Sequence, residues 1–193
     1  MLKPIIFAKD EIWTVEGILT LDECQDLIAK TEALGYEAAP VRTSSGAQMI
    51  TNVRNNDRII LDDPELATLL WQRVRGFVPA TVDNHHASGL FQPFRLYRYD
   101  SGQQFKRHKD GRETTASGER SFFTFLIYLN EDCEGGETIF SDYTFDEGKS
   151  ARHEIRVIPE VGMGLFFKHE RWHEGAPVIR GRKYVLRTDV LYK

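Results

Sequence analysis

The chain has little that would tie it to a membrane, a nucleic acid or an oxidising compartment. Only two residues are cysteine, Cys24 and Cys133. They build neither a disulfide framework nor a Cys-x-x-Cys metal pair, and they read as reduced thiols, one in the core and one at the surface. No run of eighteen apolar residues exists, so no membrane span is expected. The apolar run in residues 1–10 is too short for a signal peptide, and the cytoplasm is the expected location. Positive charge is not in excess: 25 Lys and Arg face 29 Asp and Glu, a net charge of −4. A basic stripe is the footprint of nucleic-acid binding, so no nucleic-acid partner is expected, although a local basic patch stays open. Repeats, low-complexity tracts and an evident linker are also missing, and 193 residues suffice for one domain with a full core.

What is present divides in two. The first part, residues 1–80, reads as helical support with a lid region. Thr20-Leu21-Asp22-Glu23 forms a capping box that opens a helix over 21–34. Leu21, Cys24, Leu27, Ile28 and Leu34 give it an apolar stripe, and Gly35 stops it. Asp63 and Pro64 start a second helix as N-cap and first residue, with Leu66, Leu69, Leu70, Val74 and Phe77 on its buried side and Pro79 beyond its end. The polar segment between the helices reads as a solvated hairpin or loop, or as a lid that faces substrate. His85 and His86 sit in a turn-like run and read as a surface pair outside any site.

The second part, residues 90–192, has the texture of short strands. Candidates lie near 94–99, 103–108, 121–129, 138–140, 155–158, 164–167, 172–178 and 184–192, with another at 12–15. The run 121–129 is apolar on both sides, as a strand buried on both faces should be. The expected fold class is mainly β with supporting α-helices, arranged as a jelly roll.

The chemistry centres on His108-x-Asp110. Two residues apart on a strand, an imidazole and a carboxylate point to one face and can meet on one ion. His173 would complete a 2-His-1-carboxylate facial triad, which leaves open positions on non-haem Fe(II). His169 competes with His173 for that role. The two would share a face on a helix, but the glycine and proline nearby argue against a helix there.

These residues are joined by Arg98-Tyr99, Gly102, Tyr128-Leu129-Asn130, Gly135-Gly136-Glu137-Thr138-x-Phe140, Gly162-x-Gly164 and His173-x-Gly175-x-Pro177-Val178-x-x-Gly181-x-Lys183-Tyr184. In that order they resemble a 2-oxoglutarate- and Fe(II)-dependent dioxygenase of the prolyl 4-hydroxylase type. The resemblance implies a cupin-like double-stranded β-helix, with His108, Asp110 and His173 as catalytic iron ligands. It implies Lys183 as the grip on the distal carboxylate of 2-oxoglutarate. Arg187 lies four residues on, on the same strand face, and could assist or replace it. Tyr128 matches a tyrosine that bonds the same carboxylate, and Tyr99 one near the iron; core packing is the other reading of both. The cofactors implied are Fe(II), 2-oxoglutarate and O2 as co-substrates, and ascorbate as reductant. Related halogenases lack the carboxylate ligand, so Asp110 points to hydroxylation. The apolar residues of 121–129 would wall the cavity, with 111–120 and 42–58 as lids. The implied substrate is a prolyl residue of a protein or peptide. Other readings are a free amino acid or small metabolite, a methylated nucleic acid, or a binding module without turnover.

Overall fold

The computed structural model describes residues 3–43, 46–146 and 149–193. In chain order the elements begin with β1 (Pro4–Ala8), β2 (Ile12–Val15), α1 (Leu21–Leu34), β3 (Glu37–Ala38), β4 (Val41–Thr43), β5 (Gly46–Gln48), β6 (Asp57–Leu61) and α2 (Pro64–Val74). They continue with β7 (Thr81–Val82), β8 (His85–Leu90), β9 (Phe94–Asp100), β10 (Phe105–His108), β11 (Arg120–Tyr128), β12 (Glu134–Gly135) and β13 (Thr138–Asp146). The last are β14 (Lys149–Val157), β15 (Gly164–Lys168), β16 (His173–Gly175), β17 (Val178–Arg180) and β18 (Arg182–Tyr192).

Both helices start where their caps dictate. Thr20 Oγ1 accepts from the Glu23 amide at 3.2 Å, and Glu23 Oε2 accepts from the Thr20 amide at 2.8 Å. Asp63 Oδ1 accepts from the Leu66 amide at 3.0 Å. Their buried stripes are narrower than expected. In α1 the buried residues are Cys24, Leu27 and Thr31, while Leu21 and Leu34 at the two ends stay exposed. In α2 Leu69 is also exposed, because one residue turns 100° and Leu70 takes the inward direction.

The large antiparallel sheet runs β1-β2-β15-β11-β18-β9-β6-β3, with β8 on the far end of β18 and β7 on β8. A second antiparallel sheet runs β10-β16-β13-β14. The large sheet is covered on both faces, which explains its near-continuous apolar strands. Phe123, Phe125, Ile127, Leu186 and Val190 pack with α1 and α2 in one core cluster. Tyr128, Leu165, Phe167 and Val185 pack with Phe140 and Val157 of the smaller sheet in another. The result is mainly β, a double-stranded β-helix backed by two helices.

Four local readings change. Residues 4–8 are a strand at the sheet edge, and 57–61 is a strand paired to β9 rather than loop. His85 and His86 open β8, which pairs with β18, so they are not a loop pair. The 172–178 strand breaks at Ala176 and Pro177 into β16 and β17, since proline lacks the ladder amide.

Candidate active site

A pocket lies between the two sheets. β10 and β16 are neighbours, and their register sets His108 opposite His173 with ring centroids 4.2 Å apart. Each Nδ1–H donates to a backbone carbonyl two residues earlier, Lys106 O at 2.8 Å and Arg171 O at 3.0 Å. A carbonyl can only accept, so Nδ1 carries the hydrogen and it is Nε2 that faces the pocket as the ligand atom of a neutral ring. Asp110 Oδ1 lies 3.6 Å from His108 Nε2, and Oδ2 lies 3.7 Å from His173 Nε2. The three donor atoms fall within 4.8 Å of one another. Burial, followed by the field of His108, pushes His173 down to about 3, which leaves its imidazole neutral.

Asp110 is fixed from behind. Thr124 Oγ1 donates to Oδ2 at 2.6 Å, and Arg187 Nη1 pairs with Oδ1 at 2.9 Å. Burial opposes the charge, but Arg187, His173 and His108 together hold the carboxyl well below its usual range. His169 is buried beneath this layer and does not join the triad. Because Thr124 donates to Asp110, its oxygen accepts from His169 Nδ1–H at 3.0 Å. The His169 Nε2 then accepts from the Ser121 hydroxyl at 2.9 Å, and Ser121 Oγ accepts from the Glu113 amide at 2.8 Å. Every step of that chain is satisfied with a neutral His169, the form that burial favours.

Further charges back it up. Arg95 stands opposite Arg187 in the β9–β18 ladder, where like charges repel. Asp189 lies 3.6 Å from both, and Glu113 caps Arg95 at 2.5 Å. Arg54, Ser121, Thr124, Arg95, Glu113 and Asp189 were not among the expected site residues. For Arg95 and Asp189 the signal is charge inside strands that otherwise read as core, as in Arg187-Thr188-Asp189; the other four carry no such mark.

The other end of the pocket is sparse. Lys183 is 4% exposed, and its Nζ donates to Gly136 O at 2.5 Å. No ion pair to it exists among the described residues, and burial lowers it to about 8. The rings of Tyr99 and Tyr128 lie 5.5 and 5.2 Å from the ammonium. Gly136 must be glycine: its φ is +73°, and a Cβ there would meet Lys183 Cδ at 3.1 Å. Tyr128 donates to Thr138 Oγ1 at 2.7 Å, and burial raises its phenol well above the usual value. Tyr99 rises to about 12 for the same reason. Tyr99, Lys183 and Arg187 all line the pocket, with Arg187 at the triad and Lys183 at the far end; Tyr128 packs behind it.

Residues 94–188 match the model of the 2OG-Fe(II) oxygenase superfamily. That match covers just under half of the chain and places residues 94–188 in that superfamily, with prolyl 4-hydroxylases among the chain's relatives. This oxygenase is 24% identical to prolyl 4-hydroxylase 2 of Arabidopsis thaliana, over 93% of the chain and 66% of that relative. It thus spans about two thirds of the length of that relative. Its fold is that of a viral collagen prolyl hydroxylase from Paramecium Bursaria Chlorella virus-1 solved with 2OG, with a TM-score of 0.64, 21% identity and coverage of 94% and 96%. It is also that of a Trichoplax adhaerens prolyl hydroxylase solved with a hypoxia inducible factor peptide, with a TM-score of 0.66, 16% identity and coverage of 94% and 84%. The oxygenase's own donors fit the superfamily's cofactors. Two imidazoles whose Nε2 atoms face the pocket and one ionised carboxylate suit Fe(II). A buried ammonium with no carboxylate partner suits one end of 2-oxoglutarate.

Proposed function

We propose that the chain hydroxylates an unactivated C–H bond, on a prolyl residue of a protein or peptide, using Fe(II), 2-oxoglutarate and O2, with ascorbate as reductant. One observation carries this reading: a facial set of donors and an unpaired buried ammonium share one pocket between two sheets. His108, Asp110 and His173 would hold the iron, and Lys183 the distal carboxylate of 2-oxoglutarate. Bound iron and 2-oxoglutarate supply the oxidising chemistry, with decarboxylation to succinate.

The protein's part is geometric and electrostatic. The Lys106 and Arg171 carbonyls fix the imidazole tautomers, so neither ring has to reorganise on binding metal. Thr124 and Arg187 keep Asp110 ionised and oriented. Lys183, held by Gly136 O, neutralises a buried anion and orients the co-substrate. Leu126, Phe167 and Val185 line the pocket with apolar surface and exclude water from it. Two cysteines without a bond between them agree with a cytoplasmic location, which cell fractionation would check.

The test is succinate formation by the Fe(II)-loaded protein, with and without proline-containing peptides. Stimulated turnover with a peptide product one oxygen atom heavier at proline is expected. Succinate at the peptide-free level with every polypeptide would remove the peptide assignment, and a metabolite screen read the same way would then name the class.

A further inference from the structure

Three arginines stand near the triad, Arg187 in the pocket lining and Arg95 and Arg54 behind it, and their partners are unequal. Arg187 pairs with Asp110 and Asp189, and Arg95 with Glu113 and Asp189. Arg54 has no ion pair among the described residues, although it is only 5% exposed. Its Nε donates to Asn56 Oδ1 at 2.6 Å, and its Nη2 has no hydrogen-bond partner. Buried guanidinium groups are normally met by a carboxylate, and an unmet one marks a missing partner.

The place of Arg54 says where that partner would come from. Its guanidinium lies over the ring of Phe105 at 4.5 Å and that of Tyr97 at 4.3 Å, and both rings line the pocket. The Phe105 ring is stacked on His108 at 3.5 Å and 19°. Arg54 is therefore held one aromatic layer from a triad histidine. The Tyr97 phenol interacts with both Arg54 and Arg187. The Nε of Arg187 also lacks an acceptor. Each of the two guanidinium groups that meet this phenol thus keeps one buried nitrogen without an acceptor. Burial opposes ionising that phenol, yet Arg54, Arg187 and Arg95 draw it below its ordinary value, a sign of excess positive potential at this wall. An ion at the triad would also draw on the Asp110 charge that now serves Arg187.

We propose that the substrate to be hydroxylated carries a carboxylate, and that this group docks on Arg54 and Arg187 beside the Tyr97 hydroxyl. The inference rests on the dioxygenase reading and narrows its substrate class. Two sources share the chemistry: an acidic side chain next to the target residue of a peptide, or a free α-carboxylate. 2-Oxoglutarate has its own anchor in Lys183, at the opposite end.

Binding to the Mn(II)- and 2-oxoglutarate-loaded protein without O2, by calorimetry, tests it apart from turnover. The probes are proline peptides with Glu or Gln beside the proline, and free L-proline against L-proline amide. The wild type should prefer one carboxylate member by at least about tenfold, the scale of a charge-assisted hydrogen bond. Preference for the Glu peptide assigns the side chain, and preference for L-proline over its amide assigns the α-carboxylate. Arg54→Gln should erase the preference while Mn(II) and 2-oxoglutarate still bind as in wild type, and Arg54→Lys should restore part of it. Equal affinity within both pairs in the wild type overturns the proposal even if no variant folds. So does a preference that survives Arg54→Gln, or an Arg54→Gln defect confined to 2-oxoglutarate. Carboxylate preference without succinate formation from any probe would instead sink the dioxygenase reading.

Discussion

The two ends of the pocket handle charge in opposite ways. At the triad end the Asp110 carboxylate is answered from inside by Arg187 and Thr124, and Arg95 by Glu113, while Arg187 Nε and Arg54 Nη2 stay open. At the far end Lys183 has one carbonyl oxygen and two aromatic rings. Satisfied charges hold a geometry in place before any ligand arrives. An unsatisfied one keeps its free energy for the ligand that completes it. The Asp110 carboxylate is thus built to position, and the Lys183 ammonium to capture.

The sharpest way to break that contrast is at the triad itself. His108→Ala or Asp110→Ala should bring succinate formation to background and remove Mn(II) binding seen by calorimetry, and near-normal turnover in either would refute the ligand set. Next in size is Lys183→Ala. Losing a buried charge-assisted bond of about 1.5–3 kcal/mol should raise the KM for 2-oxoglutarate roughly 10- to 150-fold. Mn(II) affinity should hold, and an equal loss of metal would mean that the two ends are not separate.

The pH dependence separates them further. Lys183 is neutral above about 8 in the folded protein, against 10.5 for an ordinary lysine. Binding a carboxylate there requires the proton, so the KM for 2-oxoglutarate should climb above pH 8 by up to about tenfold per unit. The sign for stability is reversed. The unfolded chain holds more protons between these values, so the ligand-free protein should gain stability as pH rises from 8 towards 10.5. A KM that is flat across this range would show that Lys183 is not the anchor.

Thr124→Val keeps the shape and removes one hydrogen bond to Asp110. Metal affinity should fall about tenfold or somewhat more, with little change for 2-oxoglutarate. The smallest effect is expected from Tyr128→Phe. It leaves the Thr138 hydroxyl to the co-substrate alone, worth about 1 kcal/mol, and so a few-fold in KM.

The parts legible in the sequence are those with local or periodic causes. The helix N-caps, the two-faced apolar run of β11 and the His-x-Asp spacing all express physics that acts over a few residues. Leu21, Leu34 and Leu69 misread because periodicity tells which way a side chain points, but not whether the sheet extends beneath it. His169 stood level with His173 in sequence, four residues away. Only the pairing of β16 with β10 brings one to Asp110, while the bed of Ser121 and Thr124 takes the other. Arg54 lay in a polar stretch that composition alone could place in solvent. Its burial follows from a bridge to Phe105, fifty-odd residues on, which no local pattern carries.

Lys183 and Arg187 stand on one face of β18, four residues apart. At about 3.3 Å per residue their α-carbons are separated by roughly 13 Å. β9 and β11 grip the strand from either side, so it cannot slide. The strand is in effect a ruler laid along the cavity, with a cation at each mark. With Lys183 as the proposed anchor, a keto diacid would be gauged against it for length: oxaloacetate, one methylene short, would have to leave either Lys183 or the triad unanswered.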